Sequence, residues 1–172
     1  MSLKFRLAFL AIALGQVFLL LGLIGDREYT LRKGTEVVLE TLPVDPRSLF
    51  QGDFVILRYE ISQPPEGLHI RSGASVYVYL VEGPESWRAV RYETGRSDFD
   101  DRLFIKGRMG NDGEIDFGIG TFFVPEGTGL IIEQANDIKV VVSVDGRGKA
   151  VVKDVLVDGV PFNVAREEAV PG

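Results

Sequence analysis

Nineteen consecutive residues, Leu7 to Gly25, carry no charge, and Gln16 is the only strongly polar one among them. As a helix this run extends about 28 Å, close to the hydrocarbon thickness of a bilayer. A helix satisfies its backbone polar groups internally, which lipid requires. No polar face exists in the run, so a helix half-buried in a soluble core is disfavoured. Lys4 and Arg6 precede it and Asp26 follows, so the positive-inside bias sets the N-terminus in the cytoplasm. Cleavage as a signal peptide fits poorly, since cutting after Gly25 would put Leu23 where a small residue is needed. Cutting after Gly15 leaves too short an apolar core. The expected organisation is residues 1–6 in the cytoplasm, 7–25 across the membrane and 26–172 outside it.

The rest of the chain is acidic. Removing Lys4 and Arg6 from the 19 basic residues leaves 17 against 25 acidic ones, a net of −8. Phosphate backbones are repelled by such a balance, and no nucleic-acid partner is expected. Cysteine is absent and His69 is the only histidine. Disulfides, thiolate zinc sites and cysteine nucleophiles are thereby excluded, as is any site built on two imidazoles. No metal site, cofactor or catalytic residue is expected.

Beyond the apolar run the pattern is one of strands and turns. Thr35–Leu42 is rich in β-formers and stops at Pro43 and Pro46. Asp53–Ser62 alternates with a period of two, placing Val55, Leu57, Tyr59 and Ile61 on one face. Ser75–Glu82 and the stretch from Trp87 to Glu93 follow. Arg102–Arg108 and Glu114–Ile119 flank Gly110-Asn111-Asp112-Gly113, and Ile138–Val144 and Lys149–Val157 flank Asp145-Gly146-Arg147-Gly148. Both are hairpin patterns, because Asn, Asp and Gly supply the positive φ that tight turns demand. The one helical stretch expected in this part is Glu126–Asn136, and Thr94–Asp101 is the expected mobile loop. The fold class is mainly β: an antiparallel domain of about nine strands, barrel-like or a coiled pair of sheets, with one short helix, behind a single membrane helix.

Gly52-Asp53-Phe54-Val55-Ile56-Leu57-Arg58-Tyr59 resembles the signature that names the bacterial GDYXXLXY family, with Phe54 in place of the usual tyrosine. Phe122-Phe123-Val124-Pro125-Glu126-Gly127 is similar to a second segment associated with that family. The motif residues are Gly52, Asp53, Phe54, Leu57, Tyr59, Pro125, Glu126 and Gly127. The resemblance implies a location in the cytoplasmic membrane and a multi-span membrane protein as partner. It implies no activity. On the residues alone, Gly52 and Asp53 read as a turn leading into a half-buried strand, and Phe122 and Phe123 read as buried packing.

Val44 to Val55 is also similar to the stretch of type I signal peptidases that carries the nucleophilic serine, and Ile105 to Gly110 to the stretch that carries their general-base lysine. Aligned on Gly52-Asp53, the serine falls on Val44 and the lysine on Lys106. A serine–lysine dyad needs a hydroxyl, and valine has none. Ser48, four residues on, is the alternative. A shared β scaffold without the nucleophile is therefore the expectation, and a hydrolase the minor alternative.

Weaker candidates read as structure. Asp98, Asp100 and Asp101 could attract a hard cation, but the full alternating ligand pattern is missing and a solvated acidic loop is expected. Asn111–Glu114 reads as a turn and His69 as a surface residue. Tyr77, Tyr79 and Trp87 could line a lipid or cell-wall ligand site. Gly15 and Gly22 are small residues that would permit close helix approach. Taken together these features describe a periplasmic, membrane-anchored interaction module, leaning away from enzyme.

Overall fold

The computed structural model describes residues 3–42, 54–96, 101–125, 128, 131–132 and 134–169. Among these the order is α1 (Leu3–Lys33), β1 (Thr35–Glu40), β2 (Phe54–Ile56), a 3-10 turn (Glu60–Ser62), β3 (Ser75–Glu82), β4 (Trp87–Glu93), β5 (Phe104–Met109), β6 (Ile115–Asp116), β7 (Thr121–Phe123), β8 (Ile138–Val144), β9 (Ala150–Val157), β10 (Val160–Pro161) and α2 (Phe162–Ala169). The chain is mixed α and β, with two main sheets. One runs β1-β8-β9-β10, the other β4-β3-β5-β6, and β2 pairs with β7 in a separate ribbon. Every pairing in them is antiparallel.

The expected hairpins form where the turn chemistry placed them. Gly113 takes φ +85° and Gly148 φ +78°, as the two turns require. Between Asp145 and Lys149 the carboxylate of Asp145 accepts from the backbone N–H groups of Arg147 (2.9 Å) and Lys149 (3.0 Å). The alternating apolar positions point inward: Val37, Leu39, Val76, Val78, Leu80, Ile105, Val140, Val142 and Val155 are all buried in one core. Each such side chain stabilises the fold by roughly 1.5–3 kcal/mol.

Several expectations need correction. No closed barrel forms among the described residues, and of the two arrangements expected it is the pair of sheets that is seen; β6 and β10, at their edges, each pair with one strand over two residues. The motif strand is shorter than Asp53–Ser62. Val55, Leu57, Tyr59 and Ile61 do all face the core, at 0–5 % exposure. Ladder pairing, however, stops at Ile56. Thereafter the chain changes neighbours: the Leu57 N–H donates to Gly120 O (2.9 Å), and Arg58 O accepts from Leu42 N–H (2.8 Å). Tyr59 bridges to Thr41 before the 3-10 turn. The motif thus links β7 to the end of β1 rather than joining either sheet.

Helices also differ from expectation. Of the expected helix Glu126–Asn136, residues 126–127, 129–130 and 133 lie outside the described residues, and residues 131–132 are helical. The C-terminal helix α2 was not anticipated; Phe162 is buried and Ala165 packs on the core, while Asn163 and Glu167 face water. Most consequential is α1, which does not stop at Gly25. It runs unbroken to Lys33, with the Arg32 guanidinium on the Glu28 carboxylate at 2.5 Å, one turn apart. Within it Phe9–Lys33 is long and apolar enough to cross a membrane, and its most apolar window is unburied.

The helix end is built into the domain. Because β1 follows at once and pairs Thr35 with Val144, the last turns of α1 come to lie beside the β8–β9 turn. Thr30 is fully buried; its carbonyl accepts from Ser143 Oγ (2.6 Å) and from Gly34 N–H (2.9 Å). A Cβ on Gly34 would sit 2.7 Å from Thr30 O and 2.9 Å from Val144 N, so glycine alone allows this approach. Asp26 completes the joint, accepting from Arg147 at 2.6 Å and from Lys149.

Candidate functional site: the motif ribbon and the helix junction

Both motif segments meet in one place. In the β2–β7 ribbon Phe54 lies opposite Phe123, Val55 opposite Phe122 and Ile56 opposite Thr121. Pleating sends alternate residues to opposite faces. Val55 and Phe122 turn inward, Phe122 meeting Phe162 of α2 edge-on at 5.8 Å between ring centroids. Phe54 and Phe123 turn outward, their centroids 6.1 Å apart. The expectation that Phe123 is buried therefore fails: it is 75 % exposed.

Tyr59, which closes the octapeptide, is 2 % exposed and its hydroxyl donates to Ile119 O at 2.7 Å. Burial pushes its phenol well above the usual tyrosine range, so it is a fixed donor. Leu57, also buried, packs beside it. Arg58 faces out and is held by both oxygens of Glu114, the Nε contact measuring 3.2 Å. A shallow hollow of about 590 Å³ runs along this stretch, lined by Arg58, Tyr59, Asn111, Asp112 and Glu114 among others. Among its lining side chains Arg58 and Glu114 pair with each other, and Asn111 and Asp112 belong to the β5–β6 turn.

A second hollow of about 590 Å³ opens on the other side of the ribbon, between Leu23, Ile24 and Arg27 of α1, Phe122 and Phe123 of β7, and Lys149 at the head of β9. The apolar helix α1 forms one of its walls. Nothing in the sequence ties residue 123 to residue 24; only the docking of α1 on the β8–β9 turn does.

Of the remaining candidates, Gly52, Asp53, Glu126, Gly127, Val44 and Ser48 lie outside the described residues, as do Asp98 and Asp100. Pro125 lies two residues beyond the end of β7, and its carbonyl accepts from Thr128 Oγ1 at 2.6 Å. Lys106 is exposed, its ammonium 5.5 Å from the centre of the Tyr77 ring. Tyr77 and Tyr79 both pack on Phe104, at 5.6 and 5.9 Å, with Arg91 over Tyr79 and Arg96 over Phe104. Tyr79 is fully buried, and Trp87 stands at the far end of the β3–β4 pair opposite Glu82, so the three aromatics do not share one surface. His69 is exposed. Among the described residues no group of three or more His, Cys, Asp or Glu side chains could hold a metal ion.

Comparison with protein families settles the grouping. The profile described as GDYXXLXY protein matches residues 16–155. The chain belongs to the GDYXXLXY family. That span takes in the second half of the membrane-length helix, both motif segments and the domain as far as β9, leaving out β10 and α2. No curated protein and no solved structure matches the chain. Family membership and the apolar helix together support association with a membrane.

Proposed function

We propose that this chain is a single-pass protein of the bacterial cytoplasmic membrane, with its N-terminus in the cytoplasm and its two-sheet domain on the extracytoplasmic side. It acts there as a non-enzymatic accessory subunit of a multi-span membrane protein. The observation that supports this reading is the joint between helix and domain. A tether needs only a flexible linker, whose composition leaves orientation free. Here α1 passes into β1 through a glycine hinge-point packed against backbone, with Thr30 buried and Asp26 paired to the β8–β9 turn. Such a connection holds the domain at one angle to the membrane helix, which serves a partner that touches both. Purification of the tagged full-length chain from its native membranes in mild detergent tests the proposal. A stoichiometric multi-span protein is the expected result, and recovery of the chain alone overturns it.

A further inference from the structure

The hollow between α1 and β7 has an occupant of definite chemistry, and we infer that it is a bilayer phospholipid: acyl chains lie against Leu23, Ile24, Phe122 and Phe123 while the headgroup phosphate is met by Arg27. Leu23 and Ile24 are 61 % and 63 % exposed and belong to the apolar helix, so the wall of the hollow is continuous with the surface that faces lipid. Phe123 faces them from the domain side, backed by Phe54. An aromatic side chain left this open in water is unfavourable, whereas the boundary between headgroups and chains accommodates it.

The charges fit the same depth. Asp26 is engaged by Arg147 and Lys149, and Glu28 by Arg32. Arg27, exposed and lining the hollow, makes no ion pair among the described residues. A long cationic side chain at the end of an apolar helix reaches toward phosphate while its stem stays on hydrocarbon. Because the helix joint holds the domain at a set angle, Phe123 and Arg27 are presented to the membrane together. The ribbon that carries both family motifs thereby becomes a contact with the bilayer surface.

This inference rests on α1 crossing the membrane, and the test separates the two. The full-length Phe123→Trp variant is reconstituted in phosphatidylcholine vesicles with and without brominated acyl chains, and the parent chain gives the background from Trp87. The expected result is loss of the added fluorescence on bromination, with little quenching by acrylamide from the water. Phe18→Trp, within the helix, reports the crossing itself and is expected to be quenched in the same vesicles. Quenching at position 18 with an unquenched, acrylamide-accessible indole at position 123 overturns the inference and leaves the anchor standing. Photo-cross-linking from position 123 in native membranes to a second protein, or to a second copy of this chain, also overturns it. Arg27→Glu should weaken quenching at 123 without altering it at 18.

Discussion

Phe54 and Phe123 stand directly across from each other in the β2–β7 ribbon, rings tilted at 58° and centroids 6.1 Å apart. Each comes from a different family motif, so the two segments are two halves of one small structure. The pairing is worth about 1 kcal/mol beyond area burial for rings at such spacing. A double-mutant cycle with Phe54→Ala and Phe123→Ala, read by thermal unfolding of the full chain in detergent, should return a coupling of that size. Strictly additive losses would show that the rings do not support each other.

Tyr59→Phe removes the donor to Ile119 O while keeping the ring in the core. A buried carbonyl then loses its partner, at a cost of about 1–2 kcal/mol. Lowered unfolding midpoint with unchanged membrane insertion is expected, and an unchanged midpoint would mean that another group satisfies Ile119.

Gly148→Ala should be costly for two reasons. The position has φ +78°, and a Cβ would sit 2.5 Å from the Phe104 ring and 3.0 Å from the Lys106 nitrogen. Past the end of β6, Gly148 O also accepts from Lys106 N–H at 2.8 Å, so this turn covers the open edge of β5 and ties the two sheets together. A loss of about 2 kcal/mol is expected in denaturant titration. Gly146, with open space around it, is the matched control for alanine.

Acid should loosen the helix joint at Asp145. Burial of this side chain opposes its ionisation, but the Arg147 guanidinium and the N–H groups of Lys149 and Arg147 outweigh it, and its pKa is lowered. With a folded value below the unfolded one near about 3.9, its contribution is present above that pH and lost as pH falls through the folded value. Asp145→Asn keeps an acceptor for the turn and loses the charge. It should cost about 2 kcal/mol at neutral pH and progressively less in acid, a convergence that unfolding curves at several pH values would reveal.

Gly34→Ala tests whether the joint is stiff. Its methyl group would press on Ser143, Thr30 O and Val144 N, forcing α1 off the β8–β9 turn. Spin labels on the exposed face of the helix and on β4 should give a narrow distance distribution in the parent and a broader one in the variant. Equal widths would show that the helix was never held there.

Much of the domain was legible in one dimension. Period-two alternation marked which side chains of the motif face inward, from Val55 to Ile61, because strand pleating acts residue by residue. Asp-Gly and Asn-Asp-Gly turns located the hairpins, since positive φ is a local demand. The same locality explains the misses. Past Asp26 the return of charge suggested an end to the helix, yet pairing of Glu28 with Arg32 and burial of Thr30 carry it on to Lys33. Which face of β7 would be wet depends on what covers it, and α2 covers Phe122 but not Phe123.

By itself the sequence determined that the chain carries a membrane-length helix and an acidic antiparallel domain, and that two motif segments mark its family. Composition and periodicity decide those matters because lipid and pleated sheets each act on consecutive residues. Only the tertiary structure brought Phe54 against Phe123, and Phe123 beside Leu23, Ile24 and Arg27. That juxtaposition comes from the docking of α1 on the β8–β9 turn, a contact between distant residues that no local pattern encodes.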